Sequence, residues 1–175
     1  GSSFNANANG GQSYISDDFD ANLEEAKQLL ADAGYPNGEG LPTITYTTND
    51  AGYHKTVAEY LQQAWGELGL NVEVNIVEWS SFTPMRRNGE YMVARNGWVG
   101  DYSDPSNMLD LFCTGNGNND GKFSNADFDA AMEKAASTMD TAERSAALHQ
   151  AEDVLMEQVG CIPVAYYNDF WLQSE

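Results

Sequence analysis

The feature that most constrains this chain is a hydrophobic period that switches from two to 3.6 and back between residues 43 and 79. Residues 43–48, TITYTT, are β-branched and aromatic and read as a strand. From about 54 to 68 the apolar residues Val57, Leu61, Ala64, Trp65 and Leu68 recur at helical spacing, and Gly69 closes the run. Residues 71–79, NVEVNIVEW, alternate again, with Val72, Val74 and Ile76 on one face. Strand, helix and strand in that order make a βαβ unit, which predicts parallel strands joined by a right-handed crossover.

The flanking sequence extends the alternation. Leu23, Ala26, Leu29, Leu30 and Ala33 share one face of a helix expected over 20–33, with Gly34 as its stop and Pro36-Asn37-Gly38 as a turn. A short helix is expected at 81–88, where Pro84 falls in the first turn and costs no helical hydrogen bond. Residues 91–98, YMVARNGW, read as a third strand. Asp104 and Pro105 suit the N-cap and first position of a helix running to Phe112. A Gly/Asn loop at 114–121 leads to helices at 125–138 and 141–158, the second opened by Asp140 and Glu143 in a capping-box arrangement. An apolar, aromatic strand is expected at 162–172. The economical organisation is a flexible lead-in or linker over 1–19 and a single α/β lobe over 20–175, a mixed sheet with flanking helices. The abrupt apolar ending reads as a lobe of a larger protein.

Charge removes whole classes of partner. The chain has 27 acidic residues against 8 basic ones, a formal net charge of −19. A surface of that sign repels nucleic acid and anionic membranes. No run approaches the ~18 apolar residues of a membrane span. Enzymatic motifs are equally scarce: the sequence holds no HExxH, GxSxG, P-loop or GxGxxG pattern, so no enzyme is expected and no cofactor is assigned. His54 at a helix start is a weak candidate base. His149 has Glu152 and Asp153 on the following turn, a possible metal face, but a solvated helix face is the simpler reading and no metal is assigned.

Two features leave alternatives open. Residues 116–127, NGNNDGKFSNAD, place oxygen side chains at positions 1, 3, 5, 9 and 12 of an EF-hand-like calcium loop, with Gly at position 6. Asn116 at position 1 and Asp127 at position 12 are poor ligands for it, and Asx turns need the same residue types. A calcium-stabilised or adhesive surface module is therefore one reading that this loop leaves open. Cys113 and Cys161 either pair, for roughly 4 kcal/mol of loop entropy, or stay as buried thiols.

Three stretches carry a family resemblance: LEEAKQLLADAGYPNGEGLPTI, RRNGEYMVARNGWVGDYSDPSNMLDLF and IPVAYYNDFW. Together they resemble the oligopeptide- and dipeptide-binding proteins of bacterial ABC importers, the family 5 extracellular solute-binding proteins. The likeness runs from about Asp20 to Trp171 and matches only the C-terminal lobe of that two-lobed, periplasmic-binding-protein-like fold.

The resemblance implies a ligand-binding lobe that takes short peptides and works with an N-terminal lobe of its parent and an importer permease, as a monomer. It places Asp101 where the family receives the free α-amino group of the peptide. Trp98 and Tyr102 then wall a pocket, Arg86 and Arg95 face the far end of the peptide, and Asn116 lies in the loop that follows. Physical chemistry agrees, because an ammonium entering a dry cleft needs an anionic partner. Without the resemblance, turn chemistry at a strand exit explains Asp101, a helix cap explains Asp104, and ion pairing with nearby acids explains Arg87. The resemblance also implies export, a lipid anchor on a preceding segment, and a Cys113–Cys161 disulfide in an oxidising compartment. Other family members take nickel complexes, haem, sugars or opines.

Overall fold

A computed structural model describes residues 18–165, which fall into two compact units, 18–96 and 97–165. In the first unit, α1 (Phe19–Asp32) starts at Asp18, whose carboxylate accepts the Ala21 N–H at 3.0 Å. None of its residues is buried, and Leu29 of the expected apolar stripe is 62% exposed. A 3-10 turn at Pro36–Gly38 follows. Next come β1 (Ile44–Asn49), α2 (His54–Gly66), β2 (Val72–Val77), α3 (Trp79–Arg87) and β3 (Val93–Ala94).

Among the described residues the sheet order is β2-β1-β3, and both pairings are parallel. β1 and β2 pair from Ile44↔Val72 to Asn49↔Val77. The chain steps from β1 to one side and returns over β1 to β3. Right-handed crossovers in both directions put α2 and α3 on opposite faces. That makes β1 the central strand and explains why Tyr46, Thr47, Thr48 and Asn49 are all buried. On the α2 face, Tyr46 meets Trp65 edge-on with ring centroids 6.1 Å apart.

Two glycines lock the start of this unit. Gly38 (φ +73) and Gly69 (φ +82) lie back to back, and a Cβ on Gly38 would stand 2.5 Å from the Gly69 carbonyl oxygen. A Cβ on Gly69 would overlap the Asn37 carbonyl. The AGYPNG turn is therefore tied to the turn between α2 and β2 by backbone contact that tolerates no side chain.

Two sequence expectations need correction in this unit. The third strand spans Val93–Ala94 and not 91–98; Tyr46↔Val93 and Thr47↔Ala94 pair, and the Arg95 N–H donates to the Thr47 carbonyl at 2.9 Å. Asn96 and Gly97 come next, and such residues disfavour a continuing strand. Helix α3 begins at Trp79, earlier than expected, so Pro84 lies in its interior and removes a helical donor.

The second unit is a helical hairpin with a long loop leading into it. Helix α4 (Ser106–Leu109) tightens into a 3-10 turn at Asp110–Phe112. Helix α5 (Ala126–Ser137) is capped by Asn125, which accepts the N–H groups of Asp127 and Phe128. Helix α6 (Thr141–Glu157) is capped by Asp140, which accepts those of Ala142 and Glu143. Glu143 does not close the reciprocal bond of a capping box: its carboxylate accepts the Thr138 hydroxyl at 3.1 Å. Leu109, Phe128, Ala131, Met132, Ala135, Ala147, Leu148, Ala151 and Leu155 form one core cluster. Alanines at these positions let α5 and α6 approach closely. His149 belongs to this buried side of α6, at 7% exposure, not to a solvated face. Its Nδ1 lies 3.6 Å from Glu152 Oε2. Cys113 and Cys161 both pack against the core as free thiols, unlike the expected disulfide, and burial pushes both pKa values up. Residues 162–165 join no strand, and the rest of the expected closing strand lies outside the described residues, as does most of the 1–19 lead-in.

Candidate functional site

The loop between β3 and α4 holds two aspartates in opposite circumstances. Asp104 is fully engaged. Its Oδ1 accepts the Ser106 N–H at 3.0 Å, the helix-start bond expected of it. The same carboxylate grips Arg144 on α6 through Nη1 at 2.9 Å and Nη2 at 2.7 Å. The Arg144 hydrogen bond holds the Asp104 pKa down at about 2. Asp101 is exposed and has no hydrogen-bond or ion-pair partner among the described residues.

The segment carrying Asp101 is fastened at both ends. On one side, half-buried Trp98 donates from Nε1 to Asn107 Oδ1 at 2.8 Å. On the other, Asp104 is tied to α6. Tyr102 is 55% exposed, with its hydroxyl 3.5 Å from Ser106 Oγ. Asp101, Trp98 and Tyr102 therefore sit on one short loop whose ends are fixed while its carboxylate stays in water.

Arg86 and Arg95 belong to the other unit. Arg86 lies over the Phe82 ring, 5.5 Å from its centroid, at the C-terminal turn of α3. Among the described residues Arg87 has no acid within ion-pair distance; it too sits in the last turn of α3, where a cation complements the helix dipole. Arg95 follows β3 directly. With α2 and α3 on opposite faces, Arg95 stands at the carboxyl end of the sheet, the end at which open α/β sheets hold ligands. Arg95 acts there on His54, at the start of α2: burial first, and then the Arg95 charge, hold the His54 pKa below its usual value. Burial raises the Tyr46 pKa, with Arg95 opposing. The sequence offers His54 only as a base, and the structure gives it a cationic neighbour. Their meeting depends on strand order, which no local pattern encodes.

The loop expected as a calcium alternative turns several of its side-chain oxygens onto its own backbone. Asn116 Oδ1 accepts the Asn118 N–H at 2.8 Å, which leaves the Asn116 amide nitrogen for other partners. Buried Asn119 donates to the carbonyls of Phe112, Cys113 and Phe123 at 3.3, 3.1 and 2.7 Å, and accepts the Phe123 N–H at 3.0 Å. Asn125 is the cap of α5. Among the described residues no group of three or more His, Cys, Asp or Glu could hold a metal ion.

The family model described as bacterial extracellular solute-binding proteins, family 5 Middle, matches residues 1–120. The oligopeptide-binding protein OppA of Bacillus subtilis is 31% identical over 169 residues, covering 94% of this chain and 31% of its own length. The crystal structure of Haemophilus influenzae OppA in complex with RPPGFSPFR superposes with a TM-score of 0.78 at 29% identity, covering 86% of this chain and 30% of that one. The Escherichia coli murein tripeptide binding protein MppA does so with a TM-score of 0.76 at 31% identity, covering 84% and 28%. The chain thus spans less than a third of the length of these relatives.

Proposed function

The chain belongs to the family 5 bacterial extracellular solute-binding proteins, and from that premise we propose that it is the C-terminal lobe of a receptor that delivers short peptides to an ABC importer. In this reading Asp101 receives the peptide's α-amino group. Trp98 and Tyr102 flank it with apolar area and hydrogen-bonding tips. Arg95 and Arg86 are the groups for the peptide carboxylate, and Asn116 offers its amide nitrogen. A lipid-anchored, extracytoplasmic location and a closing partner lobe belong to the same proposal.

The observation that carries the reading is the contrast between the two aspartates. An ammonium leaving water is held well only by a carboxylate that has no competing cation. Asp104 is saturated by Arg144. Asp101 is open, on a loop already fixed at both ends. A carboxylate serving only turn structure would be expected to accept a local N–H, as Asp104 and Asp140 do.

The test is calorimetry on the full-length protein with trialanine and N-acetyl-trialanine, on wild type and Asp101→Asn. Wild type is expected to favour the free amine by at least about tenfold, since bonds to charged groups contribute about 1.5–3 kcal/mol. Asp101→Asn should erase that preference. Equal affinity for the two peptides in wild type removes the amino-anchor role.

A further inference from the structure

We propose that Asn107 is the positioning residue of the amino-binding loop: its amide oxygen fixes the Trp98 indole and thereby holds Asp101 in place for the peptide. This rests on the reading of Asp101 above and adds a residue that touches no ligand.

Asn107 has the placement such a role needs. It is a polar side chain only 6% exposed, on a helix anchored two residues later by Leu109 in the core cluster. Its backbone N–H bonds to the Asp104 carbonyl at 3.1 Å, so the residue is held by main chain as well as by packing. From there Oδ1 reaches across nine positions of chain to Trp98 Nε1 at 2.8 Å. Gly100 lies beside this bond. A Cβ on Gly100 would lie 3.4 Å from Asn107 Oδ1 and 3.4 Å from the Tyr102 carbonyl oxygen, at the near edge of ordinary van der Waals contact. The exposed loop therefore passes close over the buried amide.

With Trp98 tied to α4 and Asp104 tied to Arg144 on α6, the exposed residues Val99–Ser103 hang between two fixed points. Asp101 lies in the middle of that span. A carboxylate on a short, doubly tethered loop is ordered before the ligand arrives, so binding does not have to order it. An aliphatic residue at 107 would fill the same space but leave the indole N–H without its acceptor, and the tether on the Trp98 side would go slack. Arg144 cannot compensate, because it acts only on the far end.

Trialanine and N-acetyl-trialanine are titrated into full-length wild type, Asn107→Leu, Trp98→Phe and the double variant, with melting curves for each. Asn107→Leu is expected to weaken trialanine about tenfold, the worth of a lost hydrogen bond with its preorganisation. It should leave the acetylated peptide nearly unchanged. Trp98→Phe keeps an aromatic ring but removes the indole donor together with part of the ring area, so it should lose at least as much preference for the free amine, and the double variant should lose no more of that preference than Trp98→Phe alone. A purely structural asparagine would weaken both peptides equally or lower only the melting temperature, and either result overturns the proposal. If Asn107→Leu does not fold, Trp98→Phe alone carries the comparison between the two peptides. If Asp101→Asn abolishes the preference for the free amine while the Asn107 and Trp98 variants keep it, the positioning role fails and the Asp101 reading stands. If wild type shows no preference, both fall.

Discussion

Both units bury polar side chains, but the unit of residues 18–96 leaves polar atoms at the heart of its sheet without hydrogen bonds, whereas the unit of residues 97–165 engages its buried asparagines. In the sheet unit Thr47, Thr48 and Asn49 are almost wholly out of water, and Thr48 Oγ1 and Asn49 Oδ1 have no hydrogen-bond partner among the described residues. In the helical unit the buried asparagines are engaged: Asn119 makes four side-chain hydrogen bonds and Asn107 Oδ1 accepts from the Trp98 indole. The difference teaches where each unit places its functional cost. The sheet unit keeps unsatisfied polar atoms at the carboxyl end of β1, the end at which parallel sheets meet ligands. The helical unit frames its 98–107 loop with the engaged side chains of Asn107 and Asp104 and leaves that loop's one unengaged carboxylate, Asp101, on the surface.

The largest expected effect tests the helical side of this contrast. Phe128 is fully buried and meets Phe123 edge-on at 5.4 Å. Phe128→Ala should cost about 3–5 kcal/mol in urea denaturation followed by far-ultraviolet circular dichroism. A loss below about 1 kcal/mol would show that the hairpin core is loose.

Next in size is the glycine lock of the sheet unit. Gly69→Ala forces a side chain onto the Asn37 backbone at positive φ, so a loss of about 3 kcal/mol is expected in the same measurement. An unchanged midpoint would mean that the two turns can separate freely.

The third change has the opposite sign. Thr48→Val removes the hydroxyl that engages no partner and keeps the shape, so the sheet unit should gain about 1 kcal/mol. Loss of stability would mean that the hydroxyl is satisfied, which would dissolve the difference between the units.

The smallest effect is electrostatic. Arg144 holds Asp104 at a pKa of about 2 in the folded state, below the ordinary carboxylate value of 3.8. The stability it provides is whole above about pH 4 and is lost as the pH falls through about 2. With discounting for partial exposure this is about 1 kcal/mol. Glu152 has the reverse sign: burial raises its pKa, so the cost of ionising it grows as the pH rises through that raised value. Acid titration of the melting temperature of Asp104→Asn should be flatter than wild type below pH 4. Parallel curves would remove the Arg144 contribution.

Much of the fold is legible locally. The βαβ unit follows from its switch of period, and α5 and α6 from their caps Asn125 and Asp140. These signals lie within a few residues of the structure they specify. The candidate site is legible only in part. Asp101 stands out through resemblance, and Asp104 through its neighbour Pro105, but nothing near Asp104 in sequence announces Arg144, 40 positions away. The length of β3 also escapes the sequence pattern, because it depends on how far β1 offers a partner.

By itself the sequence determined the order of elements, the parallel sense of β1 and β2, and the acidity that repels nucleic acid. Those properties follow from periodicity and composition, which are local or summed quantities. Only the tertiary structure decided which aspartate is saturated and which stays open, that the Trp98 indole bonds to Asn107, and that His149 is buried. Each of these depends on side chains from separate elements meeting within about 3–4 Å, the range over which hydrogen bonds and close packing act. A one-dimensional pattern does not carry that distance.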